Sequence, residues 1–222
     1  MDKKFWIEKW HANEIGFHQK EVNPYLLKWW NTLDIKSGDA VFVPLCGKSR
    51  DMLWLLRQGY KVIGIEISQQ AAESFFEENK LPVKVSEEEK FTRYDAQELS
   101  ILCGDFFDLT NSDLKTITAV YDRASLIALP PEMRERYVEH IKVIMPDKSQ
   151  MFLVTMEYAQ EEMNGPPFSV KETEVRELYA DQKVELLLKH NVLFENQRFK
   201  ERGLTSMIEK VFLVSLMQHS SI

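Results

Sequence analysis

The chain is poor in cysteine, in basic charge and in long apolar runs, and each shortage excludes something. Its 222 residues contain two cysteines, Cys46 and Cys103. No CxxC pair and no Cys/His spacing suited to zinc surrounds them, so neither a disulfide scaffold nor a zinc module is expected. Each lies in an apolar run that reads as buried strand, where reduced thiols behave as small hydrophobes. Lys and Arg number 28 against 35 Asp and Glu, a formal charge of −7. That balance disfavours duplex DNA, RNA or an anionic membrane surface as partner, because phosphate binding needs clustered cations. No window approaches the roughly 18 apolar residues of a membrane span. The start, MDKKFWIEKWHANEIGF, lacks the apolar stretch and cleavage pattern of a secretory signal, so a cytoplasmic location is expected. Internal repeats and low-complexity tracts are also missing.

What is present suffices for a sizeable core: 44% of residues are hydrophobic and 28% charged. The length suits a single domain over 1–222, with a helical segment at 1–36 and an α/β core at 37–222. Five runs, AVFVPL (40–45), KVIGIEI (61–67), ELSILCG (98–104), TITAVYD (116–122) and SQMFLVTM (149–156), are continuous enough in Val, Ile and Leu for strands covered on both faces. Helical patterns separate most of them. Ser49 is positioned to cap one helix through Leu56 with Gly59 stopping it, Ser68 to cap the next, and Pro130-Pro131 to open a third that closes before Pro146. Strands alternating with helices predict a doubly wound α/β sheet. The last run, IEKVFLVSLM (208–217), reads as an added edge strand. Residues 80–97, with the run EEEK, read as a polar insertion, a solvated loop or helix face.

The turn after the first run, PLCGKS, ends like a phosphate-binding loop. The G-x-x-x-x-G-K-[ST] pattern, however, puts its first glycine where Phe42 stands, and the single Gly47 also fails the dinucleotide pattern G-x-G-x-x-G. A ligand at the carboxyl ends of the strands therefore carries no phosphates to cradle. Glu66 ends the second run, 19 residues after Gly47. An acidic residue there accepts from ribose hydroxyls, although position alone leaves a capping role open. In GDFFDL, Asp105 is placed to accept from an adenine amino group and Phe106 to lie against the ring, though the stretch by itself equally suits a structural turn. Together these describe a nucleoside site without a phosphate cradle. S-adenosylmethionine fits, since its cationic sulfonium prefers an acidic, aromatic-lined pocket.

Four stretches in order, WIEKWHANEIGFHQ, VPLCGKSRDMLWLLRQGYKVIGIEIS, YDRASLIALPPEMRERY and NGPPF, resemble the thiopurine S-methyltransferases over nearly the whole chain. The resemblance implies a class I S-adenosylmethionine-dependent fold, a seven-stranded and mostly parallel sheet with its last strand antiparallel. It implies methyl transfer to the sulfur of aromatic and heterocyclic thiols such as 6-mercaptopurine. By position, Trp10, Leu45, Glu66 and Arg123 match cofactor contacts, with Gly47 in the same turn. Trp6 and Phe17 fall in the segment that covers the cofactor, and Asp105 and Phe106 where adenine is held. Pro167 and Phe168 belong to a loop beside the acceptor pocket. The family's substrate arginine falls on Arg198, with Arg202 as rival because the spacing to Phe194 differs by one residue.

Methyl transfer from a sulfonium is an in-line displacement with a neutral leaving group, so positioning supplies much of the rate. The nucleophile is best a thiolate. Arg123 and Arg198 are the candidates for favouring it, since a guanidinium cannot act as a base. Asp108 is a lesser candidate for orienting the acceptor or taking a proton through water, with a capping role as its plainer reading. His18 suits lid packing, and His11, His140, His190 and His219 suit structural or surface roles. Trp6 and Trp10, at i and i+4, share one helix face, which is core packing by pattern and a lid by resemblance. A small-molecule thiol substrate, no metal, no nucleic acid, no membrane and a monomeric state are expected. Methylation of small selenium, tellurium or halide nucleophiles, a silent S-adenosylmethionine-binding regulator and a nucleic-acid methyltransferase are the competing readings.

Overall fold

The computed structural model describes residues 3–16 and 18–217. Phe17 and His219 lie outside the described residues. At the N-terminus are the helices α1 (Lys3–His11) and α2 (Pro24–Trp29). Then β1 (Ala40–Val43), α3 (Asp51–Arg57), β2 (Lys61–Glu66) and α4 (Gln69–Glu78) set up the first two crossovers. There follow β3 (Lys84–Glu87), β4 (Thr92–Ala96), β5 (Leu99–Cys103), α5 (Asn111–Leu114), β6 (Ile117–Arg123), α6 (Pro131–Ile144) and β7 (Gln150–Glu157). The chain closes with α7 (Glu172–Leu178), β8 (Lys183–Asn191), α8 (Gln197–Glu201) and β9 (Ile208–Ser215).

The strands form one nine-stranded sheet in the order β3-β4-β5-β2-β1-β6-β7-β9-β8. β5, β2, β1, β6 and β7 run parallel, and β9 is antiparallel to both neighbours. The doubly wound α/β reading therefore holds, but the strand count is nine rather than seven. The two additional strands come from the 80–97 segment. There β3 and β4 pair as an antiparallel hairpin that extends the sheet from β5. Tyr94 is buried and stacks on Phe76 with ring centroids 6.0 Å apart, which fixes which face of β4 turns inward. Only the tip of the hairpin, around Glu88, is the solvated loop that the charge run suggests.

Two further expectations are corrected. The 208–217 run is not an edge: β9 lies between β7 and β8, and its Val211, Phe212 and Val214 are fully buried. The edge is β8, whose KVELLLKHN alternates charged and apolar side chains because only part of it is covered. Cys46 sits in the turn after β1 and Cys103 ends β5; both are free thiols. Trp30 belongs to the core, wedged among Tyr60, Tyr121 and Phe152 with centroids 5.8–6.0 Å away. Of the N-terminal tryptophans, only Trp6 and Trp10 on α1 are placed to cover anything at the strand ends.

Local signals explain the crossovers. Ser68 caps α4, its hydroxyl accepting from the Ala71 N–H at 3.3 Å, and Ala71, Ala72, Phe75 and Phe76 form the buried face. Pro131 opens α6, which ends before Pro146. Ser49 accepts from the Asp51 N–H at 3.2 Å, just ahead of α3, and Gly59, at φ 86°, ends that turn. Ser68→Ala is expected to destabilise the protein by about 1 kcal/mol, read as a lower urea midpoint at unchanged slope.

Candidate active site

The carboxyl ends of β1, β2, β6 and β7 open onto one cavity of about 880 Å³. The turn after β1 shapes its floor. Leu45 has φ 45° and Gly47 φ 52°, a left-handed geometry that an L side chain adopts only under constraint. Three bonds supply the constraint. The Cys46 N–H donates to the Ile65 carbonyl at 2.9 Å, the Ser125 hydroxyl to the Pro44 carbonyl at 2.8 Å, and the Gly47 N–H to the Glu66 carboxylate at 2.8 Å. Glu66 also accepts the Ser68 N–H at 2.8 Å on its other oxygen. With about four acceptor sites on a carboxylate, Glu66 keeps room for a further donor. Burial pushes the Glu66 carboxyl up to about 7, against the pull of the N–H groups of Ser68, Gly47 and Ile67.

Gly47 also makes room for the lid. A Cβ at this position would stand 3.0 Å from the Trp10 ring, so the tryptophan lies directly on the turn. Gly47→Ala is expected to add about 1–2 kcal/mol of backbone strain and to lift Trp10. A lower unfolding temperature together with weaker cofactor binding is the expected result, measured by scanning and titration calorimetry.

The end of β6 divides its side chains by the two-residue period. Tyr121 donates its hydroxyl to Asp51 at 2.9 Å on the face toward α3. Asp122 points the other way, accepting from Tyr137 at 2.7 Å, and burial raises its carboxyl to about 6. Arg123 returns to the first face and lines the cavity. Ala124, at φ 69°, then turns the chain away. The far wall carries Arg198 and Arg202 from the α8 region, with Pro166 and Pro167 beside them. Arg198 reaches across to the N-terminal segment and donates to the Gly16 carbonyl at 2.8 Å. Arg202 lies 3.5 Å from the Met163 sulfur. His18 lines the cavity too, its pKa lowered by burial and then by Lys48.

The structure brings together Trp6, Trp10, Leu45, Gly47, Glu66, Arg123, Pro167 and Arg198. It places four other expected site residues outside the cavity walls. Asp105 caps the turn at Phe106–Asp108 through the Phe107 N–H at 3.0 Å and pairs with Lys3. Phe106 is buried against Tyr137 and His140, at centroid distances of 4.8 and 5.1 Å. Asp108 is exposed at the end of that turn and is not among the cavity's lining residues. Phe168 packs against the Gly165 loop: its N–H donates to the Ile127 carbonyl at 2.7 Å and its ring occupies the space beside Gly165. Sequence reasoning missed Ile67 and Glu209, which both line the cavity.

The family profile described as thiopurine S-methyltransferase matches residues 1–217. The chain belongs to the thiopurine S-methyltransferase family. A relative of that name from Nitrosospira multiformis is 49% identical over 215 residues, covering 96% of this chain and 98% of the relative. Another from Pseudomonas fluorescens is 47% identical, covering 96% and 99%. Among solved structures, the Burkholderia thailandensis 1,6-didemethyltoxoflavin-N1-methyltransferase, described with bound S-adenosylhomocysteine, superposes with a TM-score of 0.64. Its sequence identity is 13%, over 97% of this chain and 87% of that one. That likeness speaks to the fold.

The cavity suits S-adenosylmethionine, the family's methyl donor. Glu66 offers unused acceptor sites for hydroxyls, the single-glycine turn offers no phosphate nest, and Trp10 supplies an aromatic cover over Gly47. Ile67 lines the cavity next to Glu66, whereas Asp105 and Phe106 are not among its lining residues. Among the described residues no group of three or more His, Cys, Asp or Glu is placed to hold a metal ion, and no helix is long and apolar enough to cross a membrane.

Proposed function

We propose that this protein transfers a methyl group from S-adenosylmethionine to the sulfur of aromatic and heterocyclic thiols, of which 6-mercaptopurine is the test case. The observation that carries the reading is that one cavity brings together the Glu66 carboxylate, held on the Gly47 turn, and the guanidinium-bearing Arg123, Arg198 and Arg202. When bound, the cofactor supplies an electrophilic methyl on a cationic sulfur. Glu66 would take the ribose hydroxyls, and Trp6 and Trp10 would exclude water from above. Arg123 and one of the two α8 arginines favour the anionic form of the acceptor sulfur and orient it. Pro167 lines the slot for the ring.

The volume, at the upper end of the roughly 300–1,000 Å³ of small-molecule sites, suits a cofactor with a bicyclic acceptor better than one with a bare halide or selenide. The acidic balance favours a small thiol over a nucleic acid. Calorimetric titration with S-adenosylmethionine, then addition of 6-mercaptopurine with product detection, tests the reading. Binding followed by S-methylated product is expected. Binding without product would remove the thiol assignment, and absence of binding would remove the cofactor site.

A further inference from the structure

Glu209 is a carboxylate on the cavity wall that the reading above leaves without a task. It is the second residue of β9, opposite Met156 of β7. Register across the sheet pairs Arg123 with Val154 and Val154 with Val211, so the two-residue period puts Arg123, Met156 and Glu209 on one face. The Tyr25 hydroxyl of α2 bears on the Glu209 carboxylate as a donor that favours its ionised form, and lies 3.3 Å from His190 Nδ1. Among the described residues, no lysine, arginine or histidine stands within ion-pair distance of Glu209. The charged and titratable groups that bear on it are Tyr25, Arg123, His190 and Glu195. One tyrosine satisfies one of about four acceptor sites on a carboxylate. A half-buried charge with so few partners costs free energy unless a ligand completes them.

The acceptor class offers the missing donor. In a heterocyclic thione the sulfur is an acceptor and a ring N–H is a donor on the same rigid plane. A wall that carries a guanidinium and a carboxylate on one face matches that pair. We propose that Glu209 is a substrate-contacting residue that accepts the ring N–H of the acceptor, so that the cavity selects nitrogen-heterocyclic thiols over carbocyclic aryl thiols. This rests on the thiol-methylating reading. Burial raises the Glu209 carboxyl, while the Tyr25 hydrogen bond and the Arg123 charge pull it back. Recognition of the N–H is therefore strongest at pH values where the carboxylate is ionised.

The test is titration calorimetry on protein saturated with S-adenosylhomocysteine, so that no turnover occurs, using 6-mercaptopurine and benzenethiol as probes. In the wild type, 6-mercaptopurine is expected to bind more tightly at pH 8 than at pH 5.5. Glu209→Gln, whose carbonyl can still accept, is expected to cut its preference over benzenethiol about tenfold, the difference between a charge-assisted and a neutral hydrogen bond. Tyr25→Phe, which removes the hydroxyl that holds the carboxylate ionised, is expected to move the pH dependence of 6-mercaptopurine binding upward. It serves as the independent check should Glu209→Gln fold poorly. An unchanged preference in Glu209→Gln, or an unmoved pH profile in Tyr25→Phe, overturns the inference while leaving thiol binding intact. Failure of the wild type to bind either thiol would instead overturn the thiol reading itself.

Discussion

Glu66→Ala is expected to weaken S-adenosylmethionine binding by a factor of about a hundred or more, the sum of two hydrogen bonds to a charged acceptor. The carboxylate has two duties at once. It holds the turn, through the Gly47 and Ser68 N–H groups at 2.8 Å each, and it presents its remaining lone pairs to the cavity. Alanine removes both, and leaves two N–H donors without their acceptor. Glutamine removes less, because its carbonyl still serves one donor while its amide faces the other. The order wild type, glutamine, alanine in affinity is the signature, read by calorimetry. An alanine variant within threefold of wild type would show that the ribose is held elsewhere.

The same residue ties binding and stability to pH. Its folded-state pKa, about 7, is raised above the ordinary 4.5. A raised pKa means that the folded protein holds a proton the unfolded chain gives up more readily. The contribution to stability is then fully present below about pH 4.5, declines as pH rises, and is lost above about 7. Its size is about 3 kcal/mol. Hydroxyl donors from a ligand favour the ionised form, so cofactor affinity is expected to rise from pH 6 to 8 and then level off. Glu66→Gln is expected to flatten both profiles. Asp122, raised to about 6 by burial, faces α6 rather than the cavity and adds to the stability trend without touching the ligand.

The sequence was most legible where chemistry is local. Proline at the start of α6, serine before α4 and the apolar runs of the parallel strands act over a few residues, and the structure follows them. The failed phosphate patterns at Gly47 and the acidic residue at 66 were equally readable, because turn geometry and strand ends fix where those groups point. Long-range pairing was not. Arg93, Asp95 and Ser100 form hydrogen bonds across β4 and β5, which gives a polar segment a place in the sheet that its composition does not announce. β9 reads as a terminal strand in the chain yet is central in space, since β8 packs outside it. Asp105 and Phe106 are a related case. The run GDFFDL says that a turn follows β5 but not which way it faces, and the contact with Tyr137 and His140 of α6 decides that. Glu209 went unnoticed because one carboxylate opening an apolar run looks like a surface residue until β7 and α2 are packed around it.

Arg123→Ala is expected to lower turnover on thiols by roughly a hundred- to a thousand-fold, the usual loss when one preorganised charged donor is removed from an active site. The position is preorganised in a specific way. Tyr121, two residues earlier, is anchored on Asp51, and Asp122 is turned away and held by Tyr137, so the intervening backbone cannot rotate to relax the arginine out of the cavity. The effect should depend on the acceptor. A guanidinium beside the sulfur stabilises the thiolate, which matters most for a thiol that is still protonated at the assay pH and least for one already ionised. Loss in the alanine variant is therefore expected to grow with the thiol's own pKa, and activity to recover as pH is raised through that pKa. Arg123→Lys should fall between, keeping the charge but losing the planar fork. The measurement is kcat and KM across a series of thiols of graded acidity between pH 6 and 9. A loss that is the same for every thiol at every pH would assign Arg123 to holding the cofactor alone. Turnover within threefold of wild type would take it out of the reaction.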